Sequence, residues 1–220
     1  MSSILVYIFT LITSVNSFFS SSSGTGAIDL YVNGKKDPPP VVVLSDLKPG
    51  DDREVLKDLY AKCKAPAKIY LHLKDVSSTQ GFQTEPEIQE ENGTPKFDVP
   101  NYINYDLRLA KNTIISLQDH TLFTDAVSCW IPIGVIQPNT HVPLYQSFHF
   151  DPGVTNWAQG DKTTFTEEFL AVDATDTTVP STGTGRVWDP NLKKCVPGPT
   201  PLPTPKPSPT PRPSPTPHHT

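Results

Sequence analysis

Apolar and polar residues alternate with period two over much of the chain, which marks half-buried strands rather than helices. Ile28, Leu30 and Val32 interleave with Asp29 and Tyr31 until Asn33-Gly34 breaks the run. Val41 to Leu44 is a β-branched run set between Pro38-Pro39-Pro40 and the turn residues Lys48-Pro49-Gly50-Asp51. Ile69, Leu71 and Leu73 alternate with Tyr70, His72 and Lys74, and Ile103, Tyr105, Leu107 and Leu109 repeat the pattern. Segments 142–150 and 163–172 complete the set. Segment 128–136 is largely apolar but contains Pro132, whose missing amide confines it to a sheet edge or a bulge.

Two stretches depart from alternation. In 53–61, Leu56, Leu59 and Tyr60 stand at i, i+3 and i+4, which predicts a helical turn. Segment 117–127 reads as a short helix or turn, with Asp119 and Asp125 near its ends. About seven short strands separated by Gly, Pro and Asn turns predict an all-β sandwich. The acidic stretch 85–91 and the Asn92-Gly93-Thr94 sequon read as a solvated loop.

Composition sets the limits of that domain. Of 25 prolines in 220 residues, more than twice the usual share of about 5%, eleven fall on alternate positions between 197 and 217. Proline there removes donors and fixes φ, so 197–220 is expected to be a disordered, polyproline-like tail, and 181–196 a linker opening on the flexible Ser181-Thr182-Gly183-Thr184-Gly185. At the other end, residues 1–17 carry no charged side chain and include the nine-residue apolar run 4–12, too short to span a bilayer. That run, followed by Val15-Asn16-Ser17, predicts a cleaved export signal and no stable membrane span afterwards. Residues 18–180 remain as one domain large enough for a real core.

Charge is divided unevenly. Arg186, Lys193, Lys194, Lys206 and Arg212 against the single Asp189 leave 181–220 at +4, so the rest of a chain of formal charge −5 carries −9. An acidic body argues against nucleic acid as a partner. The basic tail leaves cell-wall or matrix polymers as possible partners.

The chemistry-bearing residues form no familiar catalytic constellation. No His-Glu-x-x-His segment is present to place two zinc ligands on one helical face, which leaves His72, His120, His141 and His149 as the candidate ligands. His72 and His149 fall on expected strands and read as surface residues. No Gly-x-Ser-x-Gly elbow and no Gly-rich phosphate cradle occur. Glu167-Glu168 are neighbours on a strand, so they face opposite sides and cannot act together as acid and base. The reading is no catalytic residues, no cofactor and no metal. Cys63, Cys129 and Cys195 fit an oxidising compartment. A Cys63–Cys129 disulfide with Cys195 left over, and two buried free thiols, both remain open.

Four segments together resemble the camelysin/TasA-like family of secreted, fibre-forming biofilm-matrix proteins. They are Gly26-Ala27-Ile28-Asp29-Leu30 with Tyr31-Val32-Asn33-Gly34, then Leu47-Lys48-Pro49-Gly50-Asp51, then Trp130-Ile131-Pro132-Ile133-Gly134, and finally Ser147-Phe148-His149-Phe150-Asp151-Pro152 with Phe165-Thr166-Glu167-Glu168-Phe169. The resemblance implies a jelly-roll-like β-sandwich, export by a dedicated (SipW-type) signal peptidase, and subunits that homopolymerise by donating an N-terminal strand.

The residues permit such an arm. Segment 18–30 opens on two phenylalanines and ends in an alternating strand, so Phe18, Phe19, Ile28 and Leu30 are candidate anchors on a neighbour's open sheet edge. The expectation is therefore a secreted structural subunit of extracellular filaments or matrix. Two other classes compete with it. One is a secreted metallo-endopeptidase, an activity described for some members of that family. The other is a monomeric carbohydrate- or surface-binding module with exposed Trp157 or Trp188 as its contact.

Overall fold

The structure is a computed structural model that describes residues 28–36, 41–80, 89–90 and 98–199. The expected signal 1–17, the arm residues Phe18 and Phe19, the 92–94 sequon and the proline-rich stretch 200–220 lie outside the described residues.

The fold is all-β. Its strands are β1 Asp29–Val32, β2 Val41–Leu44, β3 Asp52–Lys62, β4 Ala67–Thr79, β5 Ile103–Leu109, β6 Asn112–Ile115, β7 Trp130–Ile136, β8 His141–Phe150, β9 Lys162–Asp173, β10 Arg186–Asp189 and β11 Lys194–Pro197. They form an antiparallel five-stranded sheet, β1-β3-β8-β5-β6, a four-stranded sheet, β2-β9-β4-β7, and the hairpin β10-β11. None closes into a barrel. From β1 to β9 the chain changes sheet at almost every connection, the jelly-roll-like habit that stacks two sheets over one core. No helix among the described residues is long and apolar enough to cross a membrane.

Alternation places the core. Leu59 and Ala61 of β3, Ile103, Tyr105, Leu107 and Leu109 of β5, and Leu144, Phe148 and Phe150 of β8 are buried. They meet Ile69, Leu71 and Leu73 of β4, Ile131 and Ile133 of β7, and Phe165 and Phe169 of β9. At the centre, Phe123 packs edge-on against Tyr105 and Phe148 at 5.8 and 5.5 Å and against Phe165 at 4.8 Å. Each such aromatic pair adds about 0.5–1.5 kcal/mol beyond its area burial.

Pro132 sits where its lost amide is tolerated. Strand β7 is an edge strand, and its pairing with β4 skips from Gly134↔Ile69 to Pro132↔Tyr70, a bulge at Ile133. Gly134 has φ +143°, and a Cβ there would lie 2.8 Å from Leu109 Cδ2, so only glycine fits without displacement.

Three expectations are corrected. Segment 53–61 is not helical; it lies within β3, paired with β8 from Asp52↔His149 to Tyr60↔His141. Its inward positions are Val55, Lys57, Leu59 and Ala61, while Leu56 points out, 55% exposed, so an inward lysine hides the period-two signal. The disulfide joins Cys129 and Cys195, both buried with Cα atoms 5.7 Å apart, and Cys63 is a free thiol. The stretch 181–196 is not a plain linker. Asp189 Oδ1 accepts from the amides of Asn191 and Leu192, an Asx turn that folds 186–197 into the β10-β11 hairpin held by that disulfide. Segment 117–127 contains two 3-10 turns, Leu117–Asp119 and Phe123–Ala126.

Candidate functional site

Four places carry chemistry: a sheet edge, a polar chain inside the sandwich, a cleft on the outer face of the four-stranded sheet, and a histidine held between two aspartates on the outer face of the other sheet. The edge belongs to β3. Strand β1 pairs only with 59–62 of β3, Asp29↔Lys62 to Val32↔Leu59, then turns away at Asn33-Gly34. Asp58 closes that pairing, its carbonyl accepting from Asn33 N and its amide donating to Asn33 Oδ1, both at 2.8 Å. Residues 52–57 pair with no other described strand on that side. Because Asp58 presents both backbone groups to the β1 side, strand alternation puts those of Leu56 and Glu54 on the same open side. Ile28 and Leu30 are half-buried against the core of their own chain, Leu30 opposite Ala61.

Inside the sandwich, Tyr105 Oη donates to Gln146 Oε1 at 2.6 Å, Gln146 Nε2 donates to Glu167 Oε1 at 2.7 Å, and Lys57 Nζ lies 2.5 Å from Glu167 Oε2. The Glu167 and Lys57 side chains are 2% and 13% exposed, so this ion pair bridges β9 and β3 away from bulk water. Burial pushes Glu167 above the usual carboxylate range, with Lys57 and Gln146 opposing the rise. Burial, followed by the charges of Glu167 and Asp106, holds Tyr105 well above a normal phenol. Glu167 and Glu168 do face opposite sides, as strand geometry requires, but Glu167 faces the inter-sheet layer.

The outer face of the four-stranded sheet carries Glu168 of β9, His72 and Lys74 of β4 and Trp130 of β7, with His72 opposite both Glu168 and Trp130 in register. His72 Nδ1 donates to Glu168 Oε2 at 3.0 Å, Lys74 Nζ to Glu168 Oε1 at 2.6 Å, and the His72 and Trp130 rings lie 5.0 Å apart. Burial alone would raise the Glu168 carboxyl, but its bonds from Lys74 and His72 outweigh that and lower it. His72 is not a surface histidine: it is buried, and Nε2 has no hydrogen-bond partner among the described residues. Residues 181–184 wall this face, Thr182 and Thr184 Oγ1 both donating to the Ser128 carbonyl, at 3.2 and 2.8 Å. The resulting cleft of about 370 Å³ is lined by His72, Lys74, Asp75, Ser128, Trp130 and Glu168 with that wall.

His149 lies on the outer face of the other sheet, Nδ1 2.6 Å from Asp52 Oδ1 and Nε2 2.9 Å from Asp106 Oδ2. Partial burial would lower the imidazole, but the bonds to Asp106 and Asp52 prevail and raise it. Among the described residues no group of three or more His, Cys, Asp and Glu side chains is placed to hold a metal ion. The tryptophans named from sequence are poor contacts. Trp157 is 7% exposed and packs edge-on against Tyr102, and Trp188 packs half-buried on the core. Trp130 is the tryptophan that lines a cleft. Sequence inspection missed it because Trp130, His72 and Glu168 meet only through the register of three strands distant along the chain.

No protein-family model matches this chain, and no curated protein matches it.

Proposed function

We propose that this chain is an exported, extracellular structural subunit that assembles into filaments or matrix by adding an N-terminal arm of one copy to the sheet edge of the next. The observation that carries this reading is the stretch 52–57 of β3, which has no strand partner on its β1 side among the described residues. A strand of eleven residues is matched by a β1 of four, so among the described residues 52–57 keeps backbone donors and acceptors open to a further strand. Phe18 and Phe19 would anchor the incoming arm, while Ile28 and Leu30 keep β1 on its own sheet. The resemblance of four ordered segments to the camelysin/TasA-like family supports the same reading, as does the buried disulfide, which persists in oxidising compartments.

The test is electron microscopy of the chain beginning at Phe18, with two variants. Leu56→Pro removes one open-side amide and leaves the ladder to β8 intact, so the monomer should fold with an unchanged circular dichroism spectrum yet form no filaments. Deletion of 18–23 should abolish filaments as well. Filaments from either variant, or none from the parent chain, would overturn the proposal.

A further inference from the structure

We infer that the cleft between the outer face of the four-stranded sheet and the 181–184 wall binds a neutral, polyhydroxylated ligand, a hexose unit of a glycan. It does not depend on filament assembly. The first reason is the unpartnered imidazole. A carboxylate only accepts, so the proton between His72 and Glu168 sits on Nδ1, leaving Nε2 as a buried polar atom without a partner among the described residues. A buried polar group left unsatisfied costs on the order of 1–3 kcal/mol, which marks this wall of the cleft as more than packing. Nε2 is itself closed off from solvent, so it is the place of His72 in the cleft lining, beside Glu168, that suits a hydroxyl, which both donates and accepts.

The second reason is the company His72 keeps. Trp130 supplies a flat apolar surface beside a carboxylate, an ammonium and the hydroxyl-bearing residues Ser128, Ser181, Thr182 and Thr184. A pyranose has one face of C–H groups and a rim of hydroxyls, which matches an aromatic plate bordered by polar groups. Glu168 is held by two donors and keeps acceptor capacity for sugar hydroxyls. Asp75 and Glu168 against Lys74 leave the lining without net positive charge, which disfavours an anionic sugar. The volume falls at the small end of ligand sites, roughly 300–1,000 Å³, enough for one or two sugar rings.

The third reason is preorganisation. Ser128 stands at φ +75°, a conformation L residues avoid, and its carbonyl is gripped by Thr182 and Thr184 next to the Cys129–Cys195 bridge. The wall is thus fixed before a ligand arrives, which lowers the entropic cost of binding.

Saturation-transfer NMR and calorimetry on the whole chain, with hexasaccharides of glucose, mannose, galactose and N-acetylglucosamine, test the inference. At least one should bind, with the affinity reduced tenfold or more in Trp130→Ala. The exposed rim substitution Ser181→Trp, which fills the cleft without touching the core, should abolish binding while leaving the melting temperature unchanged. A hexamer of galacturonic acid should bind more weakly than the best neutral sugar. No binding by any neutral hexamer, binding that survives both variants, or tighter binding of the acidic hexamer would each overturn the assignment.

Discussion

Lys57→Met is the most revealing single perturbation of the fold. Lys57 is an inward residue of β3 whose ammonium meets Glu167 between the sheets. Methionine fills a similar volume, so the change removes the charge and leaves Glu167 buried without its cation. Breaking a buried pair from one side costs about 3–5 kcal/mol, whereas replacing both partners by apolar groups is often close to neutral. For a domain of this size about 1 kcal/mol moves the melting temperature by 2–4 °C, so Lys57→Met should melt roughly 6–20 °C lower. The double variant Lys57→Met/Glu167→Leu should recover most of that. It should remain about 1–2 kcal/mol short, because Gln146 Nε2 loses the acceptor it now has in Glu167.

The pH dependence follows from the same geometry. Glu167 already stands above its ordinary 4.5 through burial, and losing Lys57 removes the largest opposing influence. A carboxyl raised in the folded state favours the protonated form, so its stability is present at acid pH and lost as pH rises through the raised value. The gap between Lys57→Met and the parent should therefore shrink as the pH is lowered into the acid range and widen as it is raised. Urea unfolding followed by fluorescence measures each quantity. A Lys57→Met cost below about 1 kcal/mol, or a double variant no better than the single, would refute the reasoning.

Three further outcomes are expected. His149→Gln should destabilise the chain near pH 6 and much less near pH 9, because an imidazole raised above its ordinary 6.5 contributes stability that is lost as pH rises through the raised value; a gap constant with pH in thermal melts would contradict this. Cys129→Ser/Cys195→Ser should lose about 4 kcal/mol by the chain-entropy account of a 66-residue separation, and non-reducing gel mobility should shift in Cys195→Ser but not in Cys63→Ser. Gly134→Ala should cost about 1–3 kcal/mol in denaturant unfolding, since it combines a φ of +143° with a clash at Leu109.

What the sequence made legible was governed by local periodicity. The strands containing Ile69 and Ile103 announce themselves because the inward residues of 67–73 and 103–109 are apolar or nearly so, and Pro132 marks its own place because an absent amide has few homes in a sheet. Strand β3 escaped because Lys57 stands inward, and an inward lysine reads as polar until its partner 110 positions later is known. The same limit hid the cysteine pairing and the cleft. Cys129 and Cys195 are brought together by a hairpin whose turn chemistry at Asp189 is short and local, and nothing in that turn states where the hairpin docks. His72, Trp130 and Glu168 each look unremarkable on their own strands; only register makes them neighbours.

The Cys129–Cys195 bridge also decides how the molecule would carry load. A pull arriving along the chain beyond Thr200 reaches β11 and passes through the sulfur atoms to the base of β7, so it cannot peel the hairpin away first. When such a chain is stretched to unfolding between its two ends, the 66 positions separating the cysteines stay locked in a closed loop. At roughly 3.5 Å per residue they withhold about 230 Å of extension that the reduced chain would release. Oxidised, the domain is a shorter link with a capped extension; reduced, it becomes a longer one.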